Sequence, residues 1–339
     1  FAQRIRQAVR KGAALSVLTS KQLMADAEAW AIQPAQAAIV DAGQWIEVLA
    51  AIATVVGQST GAAAPLAPAN APDATAQAIA ASLLSGERKA ILLGNAAAHH
   101  AQAGSLLALA NWIGAQTGAS VGYLTEAANT VGAQLVGAYP KNGGLHAGQM
   151  LASGSGLKAV LLLNTEPVFD SAAGAAAADT IGNAQMVVTL SPFKANLEFS
   201  DVLLPIAPFT ETPGSFVNAE GRLQSFHAVV KPQGEARPAW KVLRVLANLL
   251  GLQGFAFEST ADVLRTVGDN CALPADALRN ATGAAAAANN GAAAPVVASI
   301  YQLDSIVRRA PSLQLTADAR NAGHGIGAAP ASAQAEEVS

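Results

Sequence analysis

Glu211, Thr212, Asn218, Glu220 and Arg222 fall in one short polar stretch, and two carboxylates beside an arginine are residue types that could carry acid–base chemistry. The same stretch holds Pro213, Gly214 and Gly221, which suit tight turns, and polar side chains in such turns satisfy backbone groups locally. We read the group as structural. Glu211 or Glu220 is expected to pair with Arg222, and Gly214 and Gly221 to permit close backbone geometry, in an ordered loop over 210–222.

Other candidates are weaker. His99 and His100 are adjacent, neighbouring side chains on a helix do not face each other, and the remaining histidines are distant in sequence. No His-Glu-x-x-His, Glu-x-x-His or paired-cysteine spacing marks a metal site. Cys271 is the single cysteine, so the chain alone forms no disulfide and cannot supply the four thiolates a cluster usually needs. It reads as a small, inert thiol. Gly154-Ser155-Gly156 lacks the Gly-x-Ser-x-Gly elbow and precedes a strand where a phosphate-binding fingerprint should follow one. No catalytic residue and no metal ligand is therefore expected.

The elements that would position these residues follow from apolar spacing. Ile5, Ala8 and Val9 share a helical face that ends at Arg10, Lys11 and Gly12, and Ala14–Leu18 reads as a buried strand. Trp45, Val48, Leu49, Ile52, Val55 and Val56 mark an amphipathic helix. Continuous apolar runs at 90–93, 159–163 and 186–190, separated by helical or turn segments, argue a parallel sheet covered on both sides, and 201–205 reads as a further short strand. Leu106, Leu109, Ala110 and Ile113 line the helix after the first run, which closes near Gly118. Pro238 starts a helix that should carry Val242, Leu243, Leu246 and Leu249 inward and stop at Gly251. Ser259 with Asp262 forms a capping box for one more. Several strands end in Gly or a polar residue, where open α/β sheets place ligand crevices.

Totals narrow the class. The hydrophobic fraction of 52% is inflated by Ala, and no stretch is apolar enough to span a bilayer. A net charge of -3 with scattered basic residues gives no electrostatic footprint for nucleic acid. The expected fold class is α/β, a Rossmann-like parallel sheet flanked by helices with flexible Ala/Pro-rich linkers. Its expected divisions are a first α/β segment over 1–58, a linker over 59–75, the main α/β domain over 76–279, an Ala-rich linker over 280–295, a C-terminal segment over 296–322 and a disordered tail over 323–339.

The run from Ser200 to Gln224, Ser-Asp-Val-Leu-Leu-Pro-Ile-Ala-Pro-Phe-Thr-Glu-Thr-Pro-Gly-Ser-Phe-Val-Asn-Ala-Glu-Gly-Arg-Leu-Gln, resembles the signature of the molybdopterin oxidoreductase superfamily. That superfamily includes formate dehydrogenases, nitrate reductases and the large subunit of respiratory complex I. Ile91–Asn95, Glu126–Ala133 and Arg237–Leu243 resemble it in the same order. The complex I large iron–sulfur subunit is the nearest resemblance, through Leu203–Thr212 and Ile306–Thr316, and the residues after Val267 are too short for a closing domain of ~100 residues.

The resemblance implies a non-catalytic scaffold in NADH:quinone oxidoreductase that holds no cofactor, with iron–sulfur clusters in an N-terminal half that precedes this chain. Its implied partners are that half and other peripheral-arm subunits, with neither nucleic acid nor membrane insertion. The implied place is cytoplasmic, peripheral to the inner membrane. The alternative is a truncated molybdopterin-dependent enzyme in which Asn95, Asn129 and Asn164, at strand ends, line a pterin crevice.

Overall fold

The computed structural model describes residues 2–21, 32–267 and 298–322. Cys271, the 280–295 linker and the 323–339 tail lie outside the described residues. Among the described residues the chain divides into two units, the first built chiefly from residues up to Glu126 with those from Ala317, the second from Ala127–Val267 together with Ser299–Thr316.

The first unit contains α1 (Ala2–Arg10), β1 (Ser16–Thr19), β2 (Gln36–Ile39), α2 (Trp45–Thr60), α3 (Ala74–Ser85), β3 (Ala90–Leu93), α4 (Asn95–Ala98), α5 (Ala103–Thr117) and β4 (Ser120–Tyr123). β1 pairs with β2 and β3 with β4, both in parallel. The apolar spacing in α2 and α5 turns Ile52, Val56, Leu106, Leu109 and Ile113 into one core, which Ile79 and Ala80 of α3 and Leu93 of β3 complete. Gly61 and Gly118 end α2 and α5 in the left-handed conformation.

The expected division between 1–58 and 76–279 is not where the units part. α2, α3 and α5 share a core, so both sides of the proposed linker belong to the first unit. The 59–75 segment is itself fastened: Ala64 and Leu66 pack on that core, the Asn70 amide donates to Glu47 (2.9 Å), and Asp73 caps α3 through the Ala76 amide (2.7 Å). Its small residues offered little periodic signal, yet two well-placed apolar side chains suffice to seat it.

The second unit contains α6 (Thr130–Leu135), α7 (Ala147–Met150), β5 (Ala159–Leu163), α8 (Pro167–Asp170), α9 (Ala176–Gly182), β6 (Met186–Ser191), β7 (Val202–Pro205), β8 (Gly214–Val217), β9 (Leu223–Phe226), α10 (Ala239–Leu249), α11 (Thr260–Val267), α12 (Ile300–Leu303), α13 (Ser305–Arg308) and α14 (Pro311–Gln314). Its main sheet has the order β5-β6-β7, all parallel, with Leu161 beside Val188 and Leu190 beside Leu204. Leu162, Val187 and Ile181 form the core beneath it. The fold is thus α/β with parallel sheets and helices, although the described parallel strands lie in three small sheets.

Two expectations change here. The segment read as a loop over 210–222 contains one strand of an antiparallel hairpin, β8 against β9, with Gly214 opposite Phe226 and Val217 opposite Leu223. Ser215-Phe216-Val217 and Leu223-Gln224-Ser225-Phe226 are short enough for the intervening turn residues to mask their strand character. In α10, Leu249 is 80% exposed instead of inward, and Ala247 is the buried residue. Among the described residues no helix is long and apolar enough to cross a membrane.

Candidate functional site

The signature hairpin is organised by Asn218. Its Oδ1 accepts the Glu220 amide (3.0 Å) and the Arg222 amide (2.9 Å), while Gly221, at φ 80°, donates its amide to the Asn218 carbonyl (2.9 Å). Gly214 leaves room for the Phe226 ring, which a Cβ would meet at 2.9 Å, and that ring packs edge-on to Phe216. The expected ion pair to Arg222 is not found among the described residues. Glu211 instead accepts the Gln233 amide (3.1 Å), and Glu220 and Arg222 both point to solvent. The turn needs no charge pair because the Asn218 carboxamide already satisfies its amides.

Each of the three asparagines has its own local setting. Asn95 opens α4 in the first unit, whereas Asn129 and Asn164 are in the second. Asn129 is a peg: its Oδ1 accepts the Val217 amide (2.8 Å), binding the start of α6 to β8. Gly132 makes that possible, since a Cβ there would lie 2.0 Å from Asn129 Oδ1. Asn164 is exposed, adopts φ 50° and donates its amide to the Leu190 carbonyl (2.8 Å), turning the chain at the end of β5.

The histidines are also structural in kind. His100 is buried, its Nε2 lies 3.0 Å from the Ala42 carbonyl, and its Nδ1 accepts the Gln102 amide (3.0 Å). The ring is therefore the neutral Nε2–H tautomer, stacked on Trp45. His99 meets Glu126 at 3.1 Å on the surface. Among the described residues no group of three or more His, Cys, Asp or Glu is placed to hold a metal.

A concentrated cluster of charge among the described residues went unread in the sequence. Beyond β5, Asp170 Oδ2 accepts the Glu166 amide (2.7 Å) and the Thr165 hydroxyl (3.1 Å), and Asn196 donates to the Thr165 carbonyl (3.0 Å). This turn holds Glu166, 7% exposed at its side chain, against two arginines. Arg309 donates to both Glu166 oxygens, at 2.7 and 2.9 Å. Arg308, 6% exposed, lies 3.1 Å from Glu166 and 3.3 Å from Asp170. Phe169 faces the Arg308 guanidinium and Phe193 that of Arg309, each ring centre 4.5 Å away. Burial pushes the Glu166 carboxyl upward, but the Arg309 hydrogen bonds and both guanidinium charges outweigh it and hold the group below the usual carboxylate range. No local pattern could have revealed this cluster, because Glu166 and Arg309 are 143 positions apart.

A family model of the molybdopterin oxidoreductases matches residues 4–249, most of the chain. The chain belongs to the molybdopterin oxidoreductase family. Among similar proteins of known sequence, a probable oxidoreductase, YjgC, of Bacillus subtilis (strain 168) is 42% identical over 67 residues, 20% of this chain and 7% of that protein. A putative formate dehydrogenase of Staphylococcus aureus (strain bovine RF122 / ET3-1) is 45% identical over 53 residues, 16% of this chain and 5% of that protein. The mitochondrial NADH-ubiquinone oxidoreductase 78 kDa subunit of Candida albicans is 46% identical over 52 residues, 15% of this chain and 7% of that protein. Each match thus covers a small fraction of the relative's length.

The family name implies a molybdopterin, a group carrying phosphate, so the strand ends can be tested for fit. A phosphate asks for unengaged donors. At the ends of β5 and β6 the fixed groups are instead the carboxylates of Glu166 and Asp170, and the adjacent guanidinium groups are already matched to them. The Asn129 carboxamide oxygen is committed to Val217. These residues of the second unit do not fit the cofactor, and no step is derived through it.

Proposed function

We propose that this molybdopterin oxidoreductase family chain is a non-catalytic scaffold within the large iron–sulfur subunit of a proton-translocating NADH:quinone oxidoreductase. Electrons from NADH would pass through clusters carried by the N-terminal half of that subunit, and this chain would hold that half and neighbouring peripheral-arm subunits in place at the cytoplasmic side of the inner membrane. The observation that carries the reading is a sheet face covered only in part. Parallel sheets are normally covered on both faces, yet on one face of β5-β6-β7 Leu161, Leu163, Met186 and Val202 remain 40% to 48% exposed, while Leu190 of the same face is fully buried. Leu249 and Leu250 at the end of α10 add to the apolar surface. Surface of this kind marks a docking face. The likeness to the 78 kDa subunit of Candida albicans supports which assembly it serves.

The likeness to a putative formate dehydrogenase favours a second reading, a molybdopterin-dependent enzyme of which this is one part, with Asn95, Asn129 and Asn164 near the pterin. Deleting the coding region for this chain in its source cells separates the two. The scaffold reading expects NADH:quinone activity of the membranes to be lost and formate oxidation to be unchanged. Loss of formate oxidation with NADH:quinone activity intact would overturn it.

A further inference from the structure

Open α/β sheets take ligands outside the carboxyl ends of their strands. In the second unit, that place at β5 and β6 is shaped by two left-handed asparagines, Asn164 and Asn196, and walled by Phe169 and Phe193. Its fixed charges are negative, so it calls for a cation. A guanidinium suits it better than an ammonium, because a planar fork meets both oxygens of Glu166 while its flat face stacks on a phenyl ring.

The structure assigns this place as a double-arginine site, and assigns as its occupant the chain's own segment 299–316. The segment arrives as a preorganised piece. Asp304 Oδ1 caps α13 through the Ile306 and Val307 amides, both at 2.9 Å. Gln314 donates to the Tyr301 carbonyl (3.1 Å) and the Val307 carbonyl (2.9 Å), tying α12, α13 and α14 together. Arg308 and Arg309 then project as neighbours and meet two carboxylates, so the charges balance, with Glu166 and Arg308 buried and Asp170 and Arg309 partly open to solvent. Arg308 Nε and Nη2 nonetheless have no hydrogen-bond partner, so Coulomb attraction and the Phe169 ring hold that side chain more than a full set of hydrogen bonds does. Such a contact is lost outright when its carboxylates go, because an arginine would stay buried without compensation.

This deepens the scaffold reading and rests on it only in treating the strand ends as free of a cofactor. The segment acts as an internal ligand, closing a crevice that relatives with a different residue set could leave open. Displaced, the site would take another arginine-bearing peptide and would reject phosphate.

Trypsin reads the seating directly, because Arg308 and Arg309 are themselves its cleavage points. In the full chain we expect cleavage after these residues to run about a hundredfold slower than in a free peptide of sequence 299–316. Cleavage at the free-peptide rate would overturn the proposal. In the full chain with Glu166→Gln and Asp170→Asn, near-isosteric changes that remove the charge, protection should fall at least about tenfold while far-ultraviolet circular dichroism keeps its parent form. Undiminished protection there would also overturn it. A third arm guards against a variant that merely loosens the fold. A full chain with Arg308→Gln and Arg309→Gln should bind the free 299–316 peptide and not the same peptide carrying both glutamines; equal binding of the two would refute the site. The scaffold reading fails by a different result, the presence of molybdenum, so the two remain distinguishable.

Discussion

Arg222 of the signature run and Asn129 of the family-like stretch over 126–133 behave very differently. Arg222 is exposed and has no ion-pair partner among the described residues, so Arg222→Ala should melt with the parent, within about 0.5 kcal/mol. A large loss would mean that the turn depends on its charge after all. Asn129→Ala strips the Val217 amide of its acceptor at a residue only 4% exposed, which should cost about 1–3 kcal/mol. Gly132→Ala should cost a similar amount by forcing Asn129 aside, and the double variant should be no worse than Asn129→Ala alone. Full additivity in denaturant titrations would show that the glycine acts through something else. Glu166→Ala leaves Arg308 buried beside Asp170 alone, so the seated segment should lose about 3–5 kcal/mol. Because the folded Glu166 carboxyl is held below its unfolded value, its contribution is complete above that value and is lost as pH falls through the folded one. The charged groups facing it are Asp170, Arg308 and Arg309. Hydrogen exchange of residues 305–309 should therefore quicken as pH falls below the ordinary glutamate range, after correction for intrinsic rates, and a flat profile would count against the linkage.

At the level of elements, exposure separates the parts that stabilise this chain from those that meet others. Leu249→Ser at the end of α10 should leave the isolated chain's melting unchanged, since the side chain is 80% exposed, and should weaken co-purification with the rest of its assembly. A drop in melting with assembly intact would place Leu249 in this chain's own core. Elements with strong local signals were readable from sequence. The repeating apolar positions of α2 and α5 gave their helices, the continuous runs gave β3, β5, β6 and β7, and the Ser259–Asp262 box is present, with the Ser259 amide donating to Asp262 at 2.7 Å. Elements defined by pairing were not. β2 is Gln-Ala-Ala-Ile and β4 is Ser-Val-Gly-Tyr, sequences with little pattern that become strands only beside β1 and β3. The hairpin was hidden for the same reason, and α12–α14 carry too few apolar repeats to announce themselves. Asn218 was legible as a turn residue, because an asparagine in a polar stretch with glycine nearby favours a turn, and its side chain does satisfy the backbone there. The Glu166 cluster was not, because its partners are joined only by the fold.

For the molecule as a whole, the family shared with molybdopterin oxidoreductases sits beside a set of strand-end residues that suit a cation. Under the proposed scaffold role, the parallel sheets, the tightly pegged signature hairpin and the exposed apolar side chains would serve neighbouring protein. That proposal is tested most directly by metal analysis of the complete subunit, purified within its native assembly through a tag on this chain. It predicts iron in cluster amounts, no stoichiometric molybdenum, and NADH-oxidising activity that travels with the tag; one molybdenum per chain accompanied by formate oxidation would contradict it.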